Sequence, residues 1–243
     1  MRLTLIFVFG FLLGACTADD PSAQSANPSV GSDAQGTAES PAPESSIDQT
    51  EEETGPRVVF LGTSLTAGLG LERESDGYVA RVDQIADSLG FPLLAVNAGV
   101  SGETSAGGLR RIDWILREPM DVLVLELGAN DGLRGQDPEA LRANLLEIIA
   151  RTRTRYPDVR ILIAGMQAPP NFGLTYTARF GIVFSEVAEE TRAALIPFLL
   201  EGVAGVPELN QDDRIHPTPE GHDLMARTVW THLQPLLAPT GGN

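Results

Sequence analysis

The sequence contains no lysine, so all 17 of its basic residues are arginine. A P-loop requires a lysine after its second glycine, and this absence excludes that class of nucleotide site. The 33 acidic residues leave a formal net charge of −16 at pH 7. Because a nucleic-acid partner needs a basic face that neutralises phosphates, we expect none.

Cysteine and histidine are also scarce. Cys16 is the only cysteine, which excludes a disulfide within the chain. The three histidines do not form a close ligand cluster such as HExxH. Gly68 and Gly70 lack the third glycine of a dinucleotide-binding fingerprint. We therefore expect neither a metal nor an organic cofactor.

The first 15 residues, MRLTLIFVFGFLLGA, have the pattern of a secretory signal peptide. Arg2 provides a short positive region, and the apolar stretch that follows is too short to span a membrane. The ending LLGAC resembles a bacterial lipobox, in which cleavage leaves the cysteine first and lipid-modified. We expect export with Cys16 as the lipid anchor; an ordinary signal peptide with a free or buried thiol is the alternative. Because Thr17 is not aspartate, we expect the outer membrane if the cell has two.

Residues 16–56 are predicted to be an acidic tether. From Thr17 onward this segment has nine acidic residues, no basic or aromatic residue, and only Val30 and Ile47 as large aliphatic ones. Such a composition cannot bury enough apolar area to offset the entropy of ordering, so we expect disorder. A flexible coil of this length spans about 35 Å on average. The folded domain is therefore expected at 57–243.

From residue 57 onward, apolar runs alternate with amphipathic stretches. The runs RVVFLGT, PLLAVNAG, DVLVLELGAND, DVRILIAGMQ and IPFLL predict five strands, and the amphipathic stretches predict helices. A nearly continuous apolar run is typical of a parallel strand buried on both faces. The alternation predicts an α/β fold with a parallel sheet, helices on both faces and right-handed crossovers.

Glycine turns and polar residues follow the predicted strands. Ser64 follows the first strand, Gly102 the second and Asn130 the third, and Asp213 and His216 precede the last helix. In parallel sheets, ligands bind at the edge formed by the carboxyl ends of the strands. We therefore expect all five residues at one edge of the sheet.

Each of these residues also has a purely structural interpretation. Ser64 can cap a short helix, His216 can be a buried structural histidine, and Asn130 can form an Asx turn. Together, however, they supply what nucleophilic catalysis needs: a hydroxyl, a base, a carboxylate that orients the base, and donors for an oxyanion. We favour Ser64 as nucleophile, His216 as base and Asp213 as its partner. The Ser64 and Gly102 N–H groups and the Asn130 amide are the expected oxyanion donors.

Three other residues compete for these roles. Asp212 competes with Asp213, but the three-residue spacing to His216 favours Asp213. His222 is expected to face the core side of the last helix, and His232 is expected to be structural or exposed.

The motifs Gly62-Thr63-Ser64-Leu65, Gly102 in NAGVSGETS, Asn130 in LGANDGLRG and Asp213-x-x-His216 resemble the four blocks of the SGNH hydrolases, also called the GDSL family. The phrases SGETS and GANDGLRG are similar to the bacterial branch of multifunctional thioesterase, lysophospholipase and arylesterase enzymes. The resemblance extends to about residue 237. It implies a three-layer flavodoxin-like fold, no metal, and acyl-ester or thioester hydrolysis.

Carried over by position, the resemblance implies the same roles for Ser64, His216 and Asp213, with Gly102 and Asn130 joining Ser64 in the oxyanion hole. One departure is Thr63, which stands where the family usually has an aspartate. The Gly-x-Ser-x-Gly pattern of α/β-hydrolases is absent, because Thr66 occupies the position of its last glycine.

We expect a serine esterase that acts on small-molecule or lipid esters through an acyl-enzyme, with the loops at 132–137 and 168–175 beside the acyl pocket. Export favours oxygen esters or lysophospholipids over acyl-CoA. A carbohydrate acetylesterase of the same fold is one alternative, and a non-catalytic lipid- or glycan-binding lipoprotein is another. We expect a monomer that contacts the membrane only through its N-terminal lipid.

Overall fold

The structure is a computed structural model that describes residues 55–237. The predicted signal peptide at 1–15, the anchor Cys16 and nearly all of the predicted tether at 16–56 lie outside the described residues. The expectations for them stay predictions.

Within residues 55–237, five strands form one parallel sheet in the order β2-β1-β3-β4-β5. The strands are β1 (Arg57–Gly62), β2 (Leu94–Gly99), β3 (Val122–Glu126), β4 (Arg160–Ala164) and β5 (Ala194–Ile196). This is the flavodoxin-like order, and the predicted fold class is confirmed. Every residue of the central β3 is buried, which explains why its sequence is apolar almost throughout.

The described helices are α1 (Ser64–Ala67), α2 (Tyr78–Ser88), α3 (Ser105–Ile115), α4 (Ala129–Leu133), α5 (Pro138–Arg155), α6 (Leu174–Thr191) and α7 (Pro219–Leu237). α2 packs against α7, and α5 packs against both α3 and α6, so the two groups cover opposite faces of the sheet. None of these helices is long and apolar enough to cross a membrane.

α5 illustrates how the sequence determines a helix. Asp137 caps its first turn by accepting a hydrogen bond from the Glu139 N–H at 3.0 Å, and Pro138 occupies the first helical position. The helix buries an apolar stripe at helical spacing, formed by Leu141, Leu145, Ile148 and Ile149.

The fifth strand lies at a different place from the one that the sequence predicts. The predicted placement of the fifth strand at residues 196–200 is wrong, because β5 ends at Ile196. Pro197 follows it and has no N–H for a strand ladder, and the Leu199 N–H instead donates to the Gly165 carbonyl at 3.0 Å. α3 begins at Ser105, after the N-cap Thr104.

Gly99, at the end of β2, allows α1 to lie close to the sheet. A Cβ atom at this position would come within 2.3 Å of the backbone nitrogen of Ala67, the last residue of α1. We therefore expect Gly99→Ala to lower the free energy of unfolding by about 1–3 kcal/mol. Urea unfolding at constant pH measures this change.

Gly181→Ala is the matched control, because a Cβ on this exposed α6 residue would meet no atom within 4 Å. Alanine is the better helix former, so this variant is expected to gain about 0.5–1 kcal/mol. Equal effects of the two substitutions would contradict the close approach of α1 to β2.

Candidate active site

The ends of three neighbouring strands lie at one level of the sheet. Gly62 at the end of β1 is in register with Gly99 at the end of β2 and with Glu126 at the end of β3. The loops after these strands therefore emerge at the same edge, which is where parallel sheets bind ligands. Ser64 lies two residues beyond Gly62, as the first residue of α1.

Ser64, His216 and Asp213 form a continuous chain of hydrogen bonds. The Ser64 hydroxyl lies 2.9 Å from His216 Nε2, and His216 Nδ1 lies 2.6 Å from Asp213 Oδ2. Ser64 and His216 are 152 residues apart in sequence, so the fold alone brings them together. In this arrangement the imidazole can take the hydroxyl proton while the carboxylate orients its other nitrogen. The competing residue, Asp212, is exposed and is not one of the three residues joined by these hydrogen bonds.

The backbone of the loop before α7 orients Asp213. Its Oδ1 accepts hydrogen bonds from the N–H groups of Ile215 at 2.9 Å and His216 at 3.0 Å, an Asx turn. Arg214 adopts a left-handed φ of 59°, so the chain reverses between the carboxylate and the imidazole. The hydrogen bond to the His216 side chain, followed by these backbone bonds, lowers the pKa of Asp213 to about 2. The carboxylate is therefore ionised at neutral pH.

Ser64, Gly102 and Asn130, the predicted oxyanion donors, line one cavity. The Ser64 N–H belongs to the first turn of α1, where a helix provides no backbone acceptor. Gly102 has a φ of 78°, which a residue with a side chain rarely adopts. Asn130 donates one amide hydrogen to the Glu103 carbonyl at 3.0 Å, and an amide group has a second hydrogen for another acceptor.

This cavity has a volume of about 560 Å³ and opens beside Ser64 and His216. Most of the side chains around it are apolar, and they include Leu65, Leu133, Met166, Pro169, Pro170 and Ile215. Both predicted pocket loops contribute, the first through Leu133 and the second through Ala168 to Pro170. Apolar walls with a few convergent polar groups are typical of a small-molecule site.

Sequence reasoning missed Glu126, which is fully buried at the end of β3. Its Oε2 accepts hydrogen bonds from the Thr63 N–H at 2.7 Å and from the Thr66 hydroxyl at 2.8 Å. The Thr63 hydroxyl lies 3.0 Å from Oε1. Burial raises the pKa of Glu126 to about 7, against the opposing effect of these hydrogen bonds. The sequence signal for this buried carboxylate is its position at the end of an apolar strand, VLVLE.

The same network continues from Thr66 to α2 and α7. The Tyr78 hydroxyl lies 2.7 Å from Thr66 Oγ1, and the Tyr78 N–H donates to His222 Nδ1 at 3.2 Å. The prediction that His222 faces the core is confirmed, because this residue is buried along with Met225 and Val229. Burial lowers the pKa of His222 to about 4, so the imidazole is neutral at neutral pH.

The family model for the GDSL-like Lipase/Acylhydrolase family matches residues 60–224. This range includes Ser64, Gly102, Asn130, Asp213 and His216.

Several characterised proteins are similar to this chain. Esterase TesA of Pseudomonas aeruginosa is 40% identical over 189 residues, which cover 77% of this chain and 92% of that protein. An arylesterase of Vibrio mimicus is 32% identical over 178 residues, which cover 73% of this chain and 88% of that protein. Thioesterase 1/protease 1/lysophospholipase L1 of Escherichia coli is 33% identical over 182 residues, 74% of this chain and 84% of that protein.

Two solved structures share the fold at similar levels of identity. The crystal structure of TesA superimposes with a TM-score of 0.71 at 40% identity and covers 74% of this chain and 99% of its own. The psychrotrophic esterase EstA from Pseudoalteromonas sp., in a structure inhibited by monoethylphosphonate, gives a TM-score of 0.70 at 30% identity. That match covers 75% of this chain and 98% of the EstA chain.

The raised pKa of Glu126 makes stability depend on pH. A carboxyl group whose pKa rises from 4.5 to about 7 on folding stabilises the folded state most below pH 4.5, and this contribution is lost as the pH rises through 7. Between pH 5 and 8 we expect the free energy of unfolding to fall by about 2–3 kcal/mol relative to Glu126→Gln. Urea unfolding of both proteins across this range measures the difference.

His222 acts in the opposite direction, since its lowered pKa means that stability is lost as the pH falls from 6.5 to about 4. His222 is present in both proteins, so its contribution cancels in the comparison. A difference between the two proteins that does not change with pH would contradict the raised pKa of Glu126.

Proposed function

The chain belongs to the GDSL-like lipase/acylhydrolase family and is a hydrolase, and we propose that it is a serine esterase that cleaves carboxylic acyl esters through an acyl-enzyme. The observation that carries this proposal is the hydrogen-bonded chain from Ser64 through His216 to Asp213 beside an apolar cavity. In this proposal Ser64 is the nucleophile, His216 the general base, and Asp213 the group that orients it.

In the first step, the Ser64 hydroxyl oxygen attacks the ester carbonyl carbon while His216 Nε2 takes the hydroxyl proton. The carbonyl electron pair moves to oxygen and gives a tetrahedral oxyanion. Asp213, which accepts a hydrogen bond from His216 Nδ1, stabilises the imidazolium that forms. Its low pKa keeps it ionised, so it does not take the proton itself.

The N–H groups of Ser64 and Gly102 and the amide of Asn130 are the proposed donors to the oxyanion. When the tetrahedral species collapses, the bond to the alcohol breaks and the alcohol leaves with the proton from His216. Water then attacks the Ser64 ester, His216 takes the proton of the water, and the acid leaves as Ser64 regains its proton. Each donor lies where negative charge develops, so its hydrogen bond stabilises the transition state more than the bound substrate.

The apolar walls of the cavity support a fatty-acyl or aryl ester as substrate. A chain placed against Leu133, Met166 and Ile215 would exchange contact with water for contact with carbon. An acetylated sugar would place hydroxyl groups against the same walls, so the carbohydrate acetylesterase alternative receives no support from them. Thioesters have the same carbonyl chemistry, and the similarity to a thioesterase makes them a second group to test.

We also propose that the full chain is exported and lipid-anchored at Cys16, with residues 17–56 as the tether. The lipobox-like sequence LLGAC carries this proposal. The geometry of the domain is compatible with it, because the chain enters β1 at Arg57, at the edge of the sheet opposite to Ser64.

Replacement of the proposed nucleophile tests the mechanism. For Ser64→Ala in residues 57–243, we expect kcat/KM for p-nitrophenyl butyrate to fall at least about 10⁴-fold, and labelling by a fluorophosphonate probe to disappear. Ser185→Ala, an exposed serine on α6, is the control and should match the wild type. Equal rates for all three proteins without labelling of the wild type would overturn the proposal.

The same assay distinguishes the substrate classes. If the apolar cavity binds the acyl chain, kcat/KM should rise from p-nitrophenyl acetate to butyrate to octanoate, because each buried methylene contributes about 0.8 kcal/mol. A preference for acetate would instead favour the carbohydrate acetylesterase.

Lipid attachment is tested with the full chain expressed in a bacterium. We expect labelled palmitate to be incorporated and the protein to sediment with membranes, because the lipid on the N-terminal cysteine inserts into the bilayer. Cys16→Ala should abolish both. Palmitate incorporation that persists in Cys16→Ala, or is absent from the wild type, would contradict the anchor.

A further inference from the structure

We propose that Arg111 is a positioning residue for catalysis. Through Glu103 it fixes the turn at residues 100–103, so that the Gly102 N–H and the Asn130 amide are aimed at the same point in the cavity. Arg111 does not line the cavity, so it acts through other residues and does not touch the substrate. This inference rests on the proposed esterase function.

Arg111, on α3, joins the ends of two strands to this turn. Its Nε lies 2.7 Å and 2.9 Å from the two carboxylate oxygens of Glu103. Its Nη2 donates to the Ala98 carbonyl of β2 at 2.7 Å and lies 3.4 Å from the Gly62 carbonyl of β1. A guanidinium group presents several N–H donors in a rigid plane, and a lysine ammonium cannot reproduce this pattern.

The ion pair is largely shielded from water, with side-chain exposures of 21% for Arg111 and 10% for Glu103. The Glu103 side chain also packs over Gly107, where a Cβ would come within 2.5 Å of its Cγ. Removal of the cation would leave a mostly buried carboxylate without its partner, a costly state that the turn can relieve only by moving.

The direction of the Gly102 N–H depends on the conformation of this turn. The Glu103 N–H donates to the Val100 carbonyl at 3.1 Å, so the four residues 100–103 form a β-turn. Gly102 is its third residue, and a φ of 78° there matches a type II turn. Type I and type II turns differ by a rotation of the central peptide, which carries the Gly102 N–H. Restraint of this turn therefore decides whether the donor faces the cavity.

Glu103 connects both proposed donors. Its carboxylate binds Arg111, while its backbone carbonyl accepts the hydrogen bond from Asn130 Nδ2 at 3.0 Å. The Arg134 guanidinium donates to the Gly102 carbonyl at 2.9 Å and adds a weaker restraint at an exposed position. A shift of Glu103 would misalign Gly102 and Asn130 together.

A positioning role and a merely structural role have different kinetic effects. Removal of one oxyanion donor costs about 10²–10³ in kcat. For Arg111→Ala we therefore expect kcat for p-nitrophenyl butyrate to fall about 10²-fold, with KM within about twofold of the wild type, because the interaction matters in the transition state. A structural ion pair would lower the melting temperature and leave the kcat of the folded protein unchanged.

Arg110→Ala is a matched control on the same helix. Arg110 is exposed, and its guanidinium donates only to the Ala106 carbonyl of its own helix among the described residues. The substitution removes the same side chain and the same charge one residue away. It should leave both kcat and KM unchanged.

Glu103→Gln tests the carboxylate of the ion pair, and it distinguishes a positioning role from a structural one if Arg111→Ala does not fold. It keeps the side-chain volume and the backbone carbonyl but removes the charge, and we expect a loss of about tenfold in kcat with an unchanged KM. If the pair acts as a unit, the double variant should lose little more than Arg111→Ala alone.

Free guanidinium ion, below denaturing concentrations, should partly restore kcat in Arg111→Ala and not alter Arg110→Ala.

An unchanged kcat in both folded Arg111→Ala and Glu103→Gln would overturn the positioning role. That result, together with inactive Ser64→Ala, would leave the esterase proposal in place. Activity that does not depend on Ser64 would instead contradict the esterase proposal itself.

Discussion

The pairing of Gly62 with Gly99 on one side and with Glu126 on the other is the constraint on which the rest of the site depends. Because these strands are parallel and in this register, three loops begin at one level and reach the same space after two to four residues. Two of the three positions are glycines that contact α1 closely: a Cβ at residue 62 would overlap the Thr66 side chain, and one at residue 99 the α1 backbone. The location of the serine therefore follows from the close packing of α1 against the ends of β1 and β2.

The residues proposed for the chemistry lie in motifs that the sequence alone singles out, while the residues that support them do not. Ser64, His216 and Asp213 belong to short motifs, and a parallel sheet places such motifs at one edge. Glu126 and Arg111 instead bond to groups 63 and 49 residues away, several of them backbone groups whose direction only the fold determines. The fifth strand was misplaced for a related reason, since an apolar run does not reveal that Pro197 ends the ladder.

Two carboxylates near the site, Glu103 and Glu126, are stabilised in different ways. Glu103 pairs with an arginine, which suits a chain whose cations are all arginine and can form two or more directed hydrogen bonds at once. Glu126 accepts hydrogen bonds from neutral donors, which include the Thr63 N–H and the hydroxyl groups of Thr63 and Thr66, and its pKa is raised by burial. Glu103 is stabilised by the positive charge of Arg111, whereas Glu126 is bonded by hydroxyl groups that can reorient.

Thr63 is one of the residues whose hydroxyl bonds to Glu126, and it stands where the SGNH hydrolases usually have an aspartate. A hydroxyl can donate to Glu126 when that carboxyl is ionised and accept from it when it is protonated, so the turn before Ser64 stays fully hydrogen-bonded in both states. An ionised aspartate at position 63 would offer only acceptors, and the two carboxyl groups would have to share a proton. With threonine, the hydrogen bond between positions 63 and 126 can form in either protonation state of Glu126.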